Sequence, residues 1–94
     1  MVFRAVAQAE LTDAAVWYDG QRPGLGSDLV AEVRAVLAMS SAQPDRYPIV
    51  ARDVREAPVP RFPYCIYYRV KLDRVVVIAV VHTARDPSVW QGRA

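Results

Sequence analysis

Residues 61–82 read RFPYCIYYRVKLDRVVVIAVVH, and this stretch decides the fold. Residues 64–71 are rich in aromatic and β-branched side chains, which favour a pleated strand. Side chains alternate across a strand. Ile66, Tyr68 and Val70 therefore share a face expected to be core. Cys65, Tyr67, Arg69 and Lys71 share the other, expected to be at least partly exposed. Residues 75–82 are apolar at nearly every position, as in a strand covered on both faces. Leu72, Asp73 and Arg74 supply the turn between them. The pair predicts an antiparallel hairpin whose second strand is central.

Upstream, residues 50–59 alternate loosely and stop at Pro58 and Pro60, a third strand by the same logic. Residues 10–21 change period: Leu11, Ala14, Ala15 and Tyr18 stand at helical spacing. Trp17 and Tyr18 are assigned to that core-facing stripe. Pro23, Gly24 and Gly26 break the helix, and without a following Lys-Ser/Thr pair they read as a turn rather than a phosphate loop. A second helix runs from Leu25 or Ser27 to Ser40, its stripe being Leu25, Leu29, Val33, Val36 and Leu37, with Ser27 or Asp28 as its cap. Residues 2–7 are short, mostly apolar and read as a strand. The expected fold class is α+β: an N-terminal strand, an antiparallel two-helix hairpin, then a three-stranded antiparallel sheet, all in one domain spanning residues 1–94.

A chain of 94 residues, 53% of them apolar, supports one compact core. Its one cysteine, Cys65, lies in an apolar run and reads as a packed side chain. A disulfide framework is excluded. No run reaches the roughly 18 apolar residues of a membrane span, and the first residues lack a signal-peptide pattern. A soluble cytoplasmic protein is expected. One His and one Cys make no zinc set, so neither metal nor cofactor is expected. The formal charge of +2 is unevenly placed, net negative in residues 1–50 and net positive in residues 51–94, where the cations are Arg except for Lys71. Arginine forks suit phosphate and carboxylate partners; an arginine-favouring coding bias produces the same composition.

Three local words resemble the RelE/ParE toxin superfamily. Residues 14–26, AAVWYDGQRPGLG, are similar to the family's A-x-W-Y-E-x-x-x-P-G-L-G passage between two helices. Val54 and Arg55, followed by residues 61–68, RFPYCIYY, are similar to its V-R … R-F-P-Y-x-I-x-Y strand. Residues 80–90, VVHTARDPSVW, are similar to its V-x-H-x-x-R-D-P-x-x-W ending. The resemblance implies the toxin half of a bacterial type II toxin–antitoxin pair, neutralised by a cognate antitoxin. Its target would be DNA gyrase in the ParE-like branch. The alternatives are a RelE-like ribosome-dependent mRNA endoribonuclease and a non-toxic binding module. RelE-type nucleases carry their chemistry on clustered Lys and Arg with a C-terminal Tyr, or on Glu, Arg, His and Tyr. This chain has only Lys71 and no Tyr after Tyr68.

The reduced catalytic set open to a nuclease is His82, Arg61 and Arg85, with Glu56 as a further member. His82, the one histidine, is the candidate general acid or base, and the hairpin places the start of one strand beside the end of the next, so Arg61 and Arg85 are expected close together. A structural ion pair is the other reading of these arginines. The expected antitoxin- or target-contacting surface is Arg55, Arg61, Tyr67, Arg69, Lys71, Arg85 and Trp90. Trp90 either staples the tail to the sheet or stacks on a base. A homodimer without the antitoxin is a further expectation.

Overall fold

The computed structural model describes residues 1–72 and 74–94. The turn expected at residues 72–74 thus includes one residue, Asp73, outside the described set. The elements are β1 (Val2–Phe3), α1 (Ala5–Gln21), α2 (Leu25–Ala42), β2 (Ile49–Ala51), β3 (Val54–Pro58), β4 (Tyr64–Val70), β5 (Val75–His82) and α3 (Ser88–Gln91). The sheet runs β1-β5-β4-β3-β2. β1 is parallel to β5, and the remaining neighbours are antiparallel.

The α+β class and element order stand as read from the sequence, with a five-stranded sheet in place of a three-stranded one. The N-terminal strand is only Val2–Phe3 because helical periodicity begins earlier than residue 10. Ala7, Leu11 and Ala14 are all buried at spacings of four and three, so the chain turns helical at Ala5 to bury Ala7. The stretch expected as one strand over residues 50–59 is two. Arg52 adopts φ 52° in the left-handed region, which folds β2 back onto β3 with Ala51 opposite Val54.

Two glycines set the α1–α2 hairpin. Gly24, at φ 89°, is the N-cap of α2, displacing Ser27 and Asp28 from that role. Gly26 passes so close to α1 that an added Cβ would stand 2.2 Å from the Ala15 carbonyl oxygen. Its N–H donates to Asp19 Oδ1 at 2.8 Å.

The helices cover one face of the sheet. Ala7, Leu11, Leu29, Val33 and Leu37 pack there on Ile66, Tyr68, Val77 and Val80. Tyr64 pairs with His82 and Ile66 with Val80 across β4–β5. β5 is interior, as read, but β4 is the middle strand. A bulge sets Tyr67 opposite Ala79 and Tyr68 opposite Val77, leaving Ile78 as the extra residue.

The other face corrects the sequence reading. Tyr67, expected to be partly exposed, is buried, in a cluster with Val54, Ile78, Ala79, Val81 and Trp90. Trp90 stacks on it at 4.2 Å between ring centroids and 14° between planes. A second aromatic on a short C-terminal helix removes both rings from water. Trp17 is the converse correction: assigned to the core, it is 59% exposed. Ala7, Leu11 and Ala14 define the buried stripe, which half-buried Tyr18 continues, and Trp17 lies about 100° off Tyr18 around the helix. It touches Tyr18 edge-on at 5.0 Å.

Candidate functional site

The most chemically varied concavity lies between α1 and the end of β5. It is a cleft of about 300 Å³ with Asp13 and Trp17 on the α1 wall and Tyr64, Val80, His82 and Arg85 on the sheet side. Glu10 borders it but is engaged elsewhere. Its carboxylate accepts from both Arg93 guanidinium nitrogens, at 2.8 and 3.1 Å. The pair also serves the backbone of β5: Val80 N–H donates to Glu10 Oε1 at 3.1 Å, and Arg93 donates to the Ile78 carbonyl at 3.1 Å. β1 ends opposite Val77. Beyond it, two side chains take the place of a neighbouring strand.

Within the cleft, His82 Nδ1 accepts a hydrogen bond from the Ala84 N–H at 3.0 Å. The neutral ring therefore carries its proton on Nε2. The Tyr64 ring meets His82 edge-on at 5.4 Å. Burial pushes the Tyr64 hydroxyl pKa up, the Tyr18 hydroxyl adds to this, and Arg85 opposes it. Arg85 N–H donates to the His82 carbonyl at 3.0 Å, which closes the turn after β5. This cleft pairs a cation and an imidazole with an exposed indole. Such a set suits an anionic or planar group, and Asp13 on the facing wall is the one further carboxylate there besides Glu10, which Arg93 holds.

The hairpin sets Tyr64 opposite His82, and Arg85 shares their cleft. Arg61 does not line it. At φ 69° its side chain turns toward α2, where Nε donates to Glu32 Oε2 at 3.0 Å over the Phe62 ring. Glu56 lies on the opposite sheet face, accepting from the Tyr67 hydroxyl at 2.6 Å. Burial, then this hydrogen bond and the carboxylate charge, raise the Tyr67 pKa far above the usual phenol range. The Cys65 thiol is likewise pushed up by burial and by Glu56. Neither group is poised as a nucleophile or base.

The arginines of the expected contact surface divide by environment. Arg55 donates to the Tyr47 carbonyl at 2.6 Å and pairs with Asp45 at 3.2 Å; its side chain is 17% exposed. Arg69 pairs with Asp53 at 3.3 Å with its side chain 13% exposed. Both hold loops to the sheet. Lys71 is exposed beside Arg74, while Trp90 is buried on Tyr67. Sequence reasoning missed Glu10, Asp13, Tyr64 and Arg93 as parts of the cleft and its border. Their signal was faint: a carboxylate next to an apolar helical stripe, and an arginine in a short tail.

Among the described residues, no helix is long and apolar enough to cross a membrane. The family model described as the ParE toxin of type II toxin–antitoxin system, parDE, matches residues 1–87. The fold is similar to a solved chain of a chromosomal ParDE toxin–antitoxin system from P. aeruginosa, with TM-score 0.72 and 17% identity over 85% of this chain and 90% of that one. No curated protein matches the sequence.

Proposed function

This chain belongs to the ParE toxin family of type II toxin–antitoxin systems, and from that premise we propose that it arrests bacterial growth by poisoning DNA gyrase until a cognate antitoxin covers it. It acts in the cytoplasm, where gyrase and the antitoxin meet, and it needs no cofactor. The observation that carries this reading is the dispersal of its acid–base candidates. His82 stands in the α1–β5 cleft, Arg61 is held by Glu32, and Glu56 is held by Tyr67 on the far face. RNA cleavage needs a base, an acid and cations around one phosphate; a gyrase poison needs a surface.

One observation favours the ribonuclease reading: His82 and Arg85 share a cleft with an exposed Trp17. The test separates the two. The chain is induced alone, as wild type and as Arg61→Ala, His82→Ala and Arg85→Ala, while growth, the SOS response and translation are followed. Growth arrest with SOS induction that survives His82→Ala, together with trapped cleavage complexes on relaxed plasmid with gyrase, supports the proposal. Rapid translation arrest relieved by His82→Ala or Arg85→Ala, with codon-positioned cuts on programmed ribosomes, replaces it with the nuclease. Unimpaired growth withdraws the toxic activity and leaves a binding module.

A further inference from the structure

The end of the sheet away from the α1–β5 cleft carries a different surface. There the β4–β5 hairpin closes with the Lys71 N–H donating to the Arg74 carbonyl at 2.8 Å, one step beyond the Val70–Val75 pair. That bond sets Lys71 and Arg74 across the hairpin from each other, and like charges so placed repel. Both side chains are exposed, and among the described residues neither forms an ion pair. Leu72, in the turn between them, is 109% exposed, so its side chain gains no burial from the fold.

The β2–β3 turn lies at the same end, because Ala51 pairs with Val54 and Val54 with Arg69. It adds the exposed Arg52. Two carboxylates at this end are engaged. Asp53 holds Arg69, and Asp45 holds Arg55 from the loop after α2, whose Pro44 shares a cleft with Lys71 and Arg74. Asp73, in the hairpin turn, is the further acid there. Against it stand Arg52, Lys71 and Arg74, so the hairpin end is net positive around an apolar tip.

We infer that this hairpin tip enters the major groove of duplex DNA, with Lys71 and Arg74 on the phosphates of the groove walls and Leu72 against base edges. A two-stranded ribbon fits that groove, which is about 12 Å wide, and an apolar side chain at its tip meets thymine methyl groups there. Phosphates relieve the repulsion between the two facing cations. Two cations make a weak contact alone. Held on gyrase beside the DNA that gyrase binds, the tip works at a raised effective concentration. The inference rests on the gyrase reading and adds to it a direct contact between the toxin and DNA.

The test uses the whole chain and a short labelled DNA duplex, followed by fluorescence anisotropy as salt is varied. Two phosphate contacts predict a slope of about −2 in log affinity against log salt. Lys71→Ala and Arg74→Ala are each expected to reduce that slope by about one. Leu72→Ala is expected to weaken binding about tenfold at unchanged slope, and Asp73→Asn to tighten it. Lys71, Leu72 and Arg74 are exposed, so their variants should melt as the wild type does. With gyrase and relaxed plasmid, the Lys71→Glu, Arg74→Glu double variant is expected to bind gyrase and trap about tenfold fewer cleavage complexes. Unchanged duplex affinity in the double variant overturns the inference, and trapping by the wild type then leaves the gyrase reading intact. A wild type that binds the duplex with the expected slope but traps no cleavage complex removes the gyrase reading and upholds the DNA contact. Equal affinity for single-stranded DNA of the same sequence overturns the inference, because no groove is then read. Loss of the antitoxin complex in the double variant, with duplex affinity unchanged, assigns the tip to the protein partner and also overturns it.

Discussion

Glu10 and Arg93, 83 residues apart in sequence, meet in a two-pronged ion pair whose atoms also complete the backbone hydrogen bonds of β5 at Ile78 and Val80. The pair ties α1, the sheet edge and the C-terminal tail together. Each side chain is 21% exposed, so water screens it only in part. Removing one partner leaves a half-buried charge and reopens a strand edge.

Arg93→Ala is expected to destabilise the chain by about 1–3 kcal/mol, below the cost of breaking a fully buried pair. For a domain of this size each kcal/mol lowers the melting temperature by roughly 4–8 °C. Thermal unfolding followed by circular dichroism checks this. Glu10→Ala should cost a comparable amount, and the double variant much less than the two single losses added. Additive losses would show that the pair does not act as a unit.

Trp90→Ala strips the stacked ring from Tyr67 and uncovers the second sheet face, with an expected loss of about 3–5 kcal/mol. Trp90→Phe keeps an aromatic there and should cost far less. It also leaves Trp17 as the sole indole. Its fluorescence is then expected to be red-shifted and readily quenched by acrylamide, as an exposed ring requires. A blue-shifted, protected emission would contradict the placement of Trp17.

Two glycines on either side of the α1–α2 turn, Gly20 and Gly26, should respond oppositely to alanine. At Gly26 the new methyl group would meet the Ala15 carbonyl at 2.2 Å. The helices must move apart, and Gly26→Ala is expected to destabilise by about 1–3 kcal/mol. Gly20 has nothing within 4 Å of an added Cβ and sits in α1. There the gain in helix propensity should stabilise by about 0.5–1 kcal/mol. Urea midpoints of the two variants make the comparison.

Tyr67 also predicts an alkaline response. In the fold its pKa lies above the ordinary value of 10.0, first because of burial and then because of Glu56. An acid whose folded pKa is raised keeps its proton in the native state while the unfolded chain loses it. Its contribution is complete below pH 10 and declines as pH rises toward the folded value. The melting temperature should therefore fall above pH 10, and Tyr67→Phe, which has no proton to lose, should fall less steeply. Tyr64, raised by burial in the same direction, accounts for part of the remaining slope. Equal slopes for wild type and Tyr67→Phe would show that Tyr67 is not shifted.

The hairpin of β4 and β5, the two helices and the order of elements were legible in the sequence because each rests on local periodicity. A run such as residues 75–82 is apolar on both faces wherever it sits, and Leu29, Val33 and Leu37 share a helical face whatever covers it. The three words resembling known toxins also lie within short spans. So the fold class and the family were readable without coordinates.

Contacts between distant segments were decided only in three dimensions. Tyr67 alternates onto the face that holds Arg69 and Lys71, and nothing in that alternation announces that Trp90 returns to cover it. Arg61 is adjacent to the hairpin, yet one left-handed backbone angle sends its side chain to Glu32 instead of toward Arg85. Trp17 follows an apolar stripe closely enough to look buried, but the packing of α1 on β5 leaves it outside. Periodicity specifies which way a side chain leaves its own strand or helix. What it then meets depends on which remote segment arrives there, and that is settled by the joint packing of the whole chain.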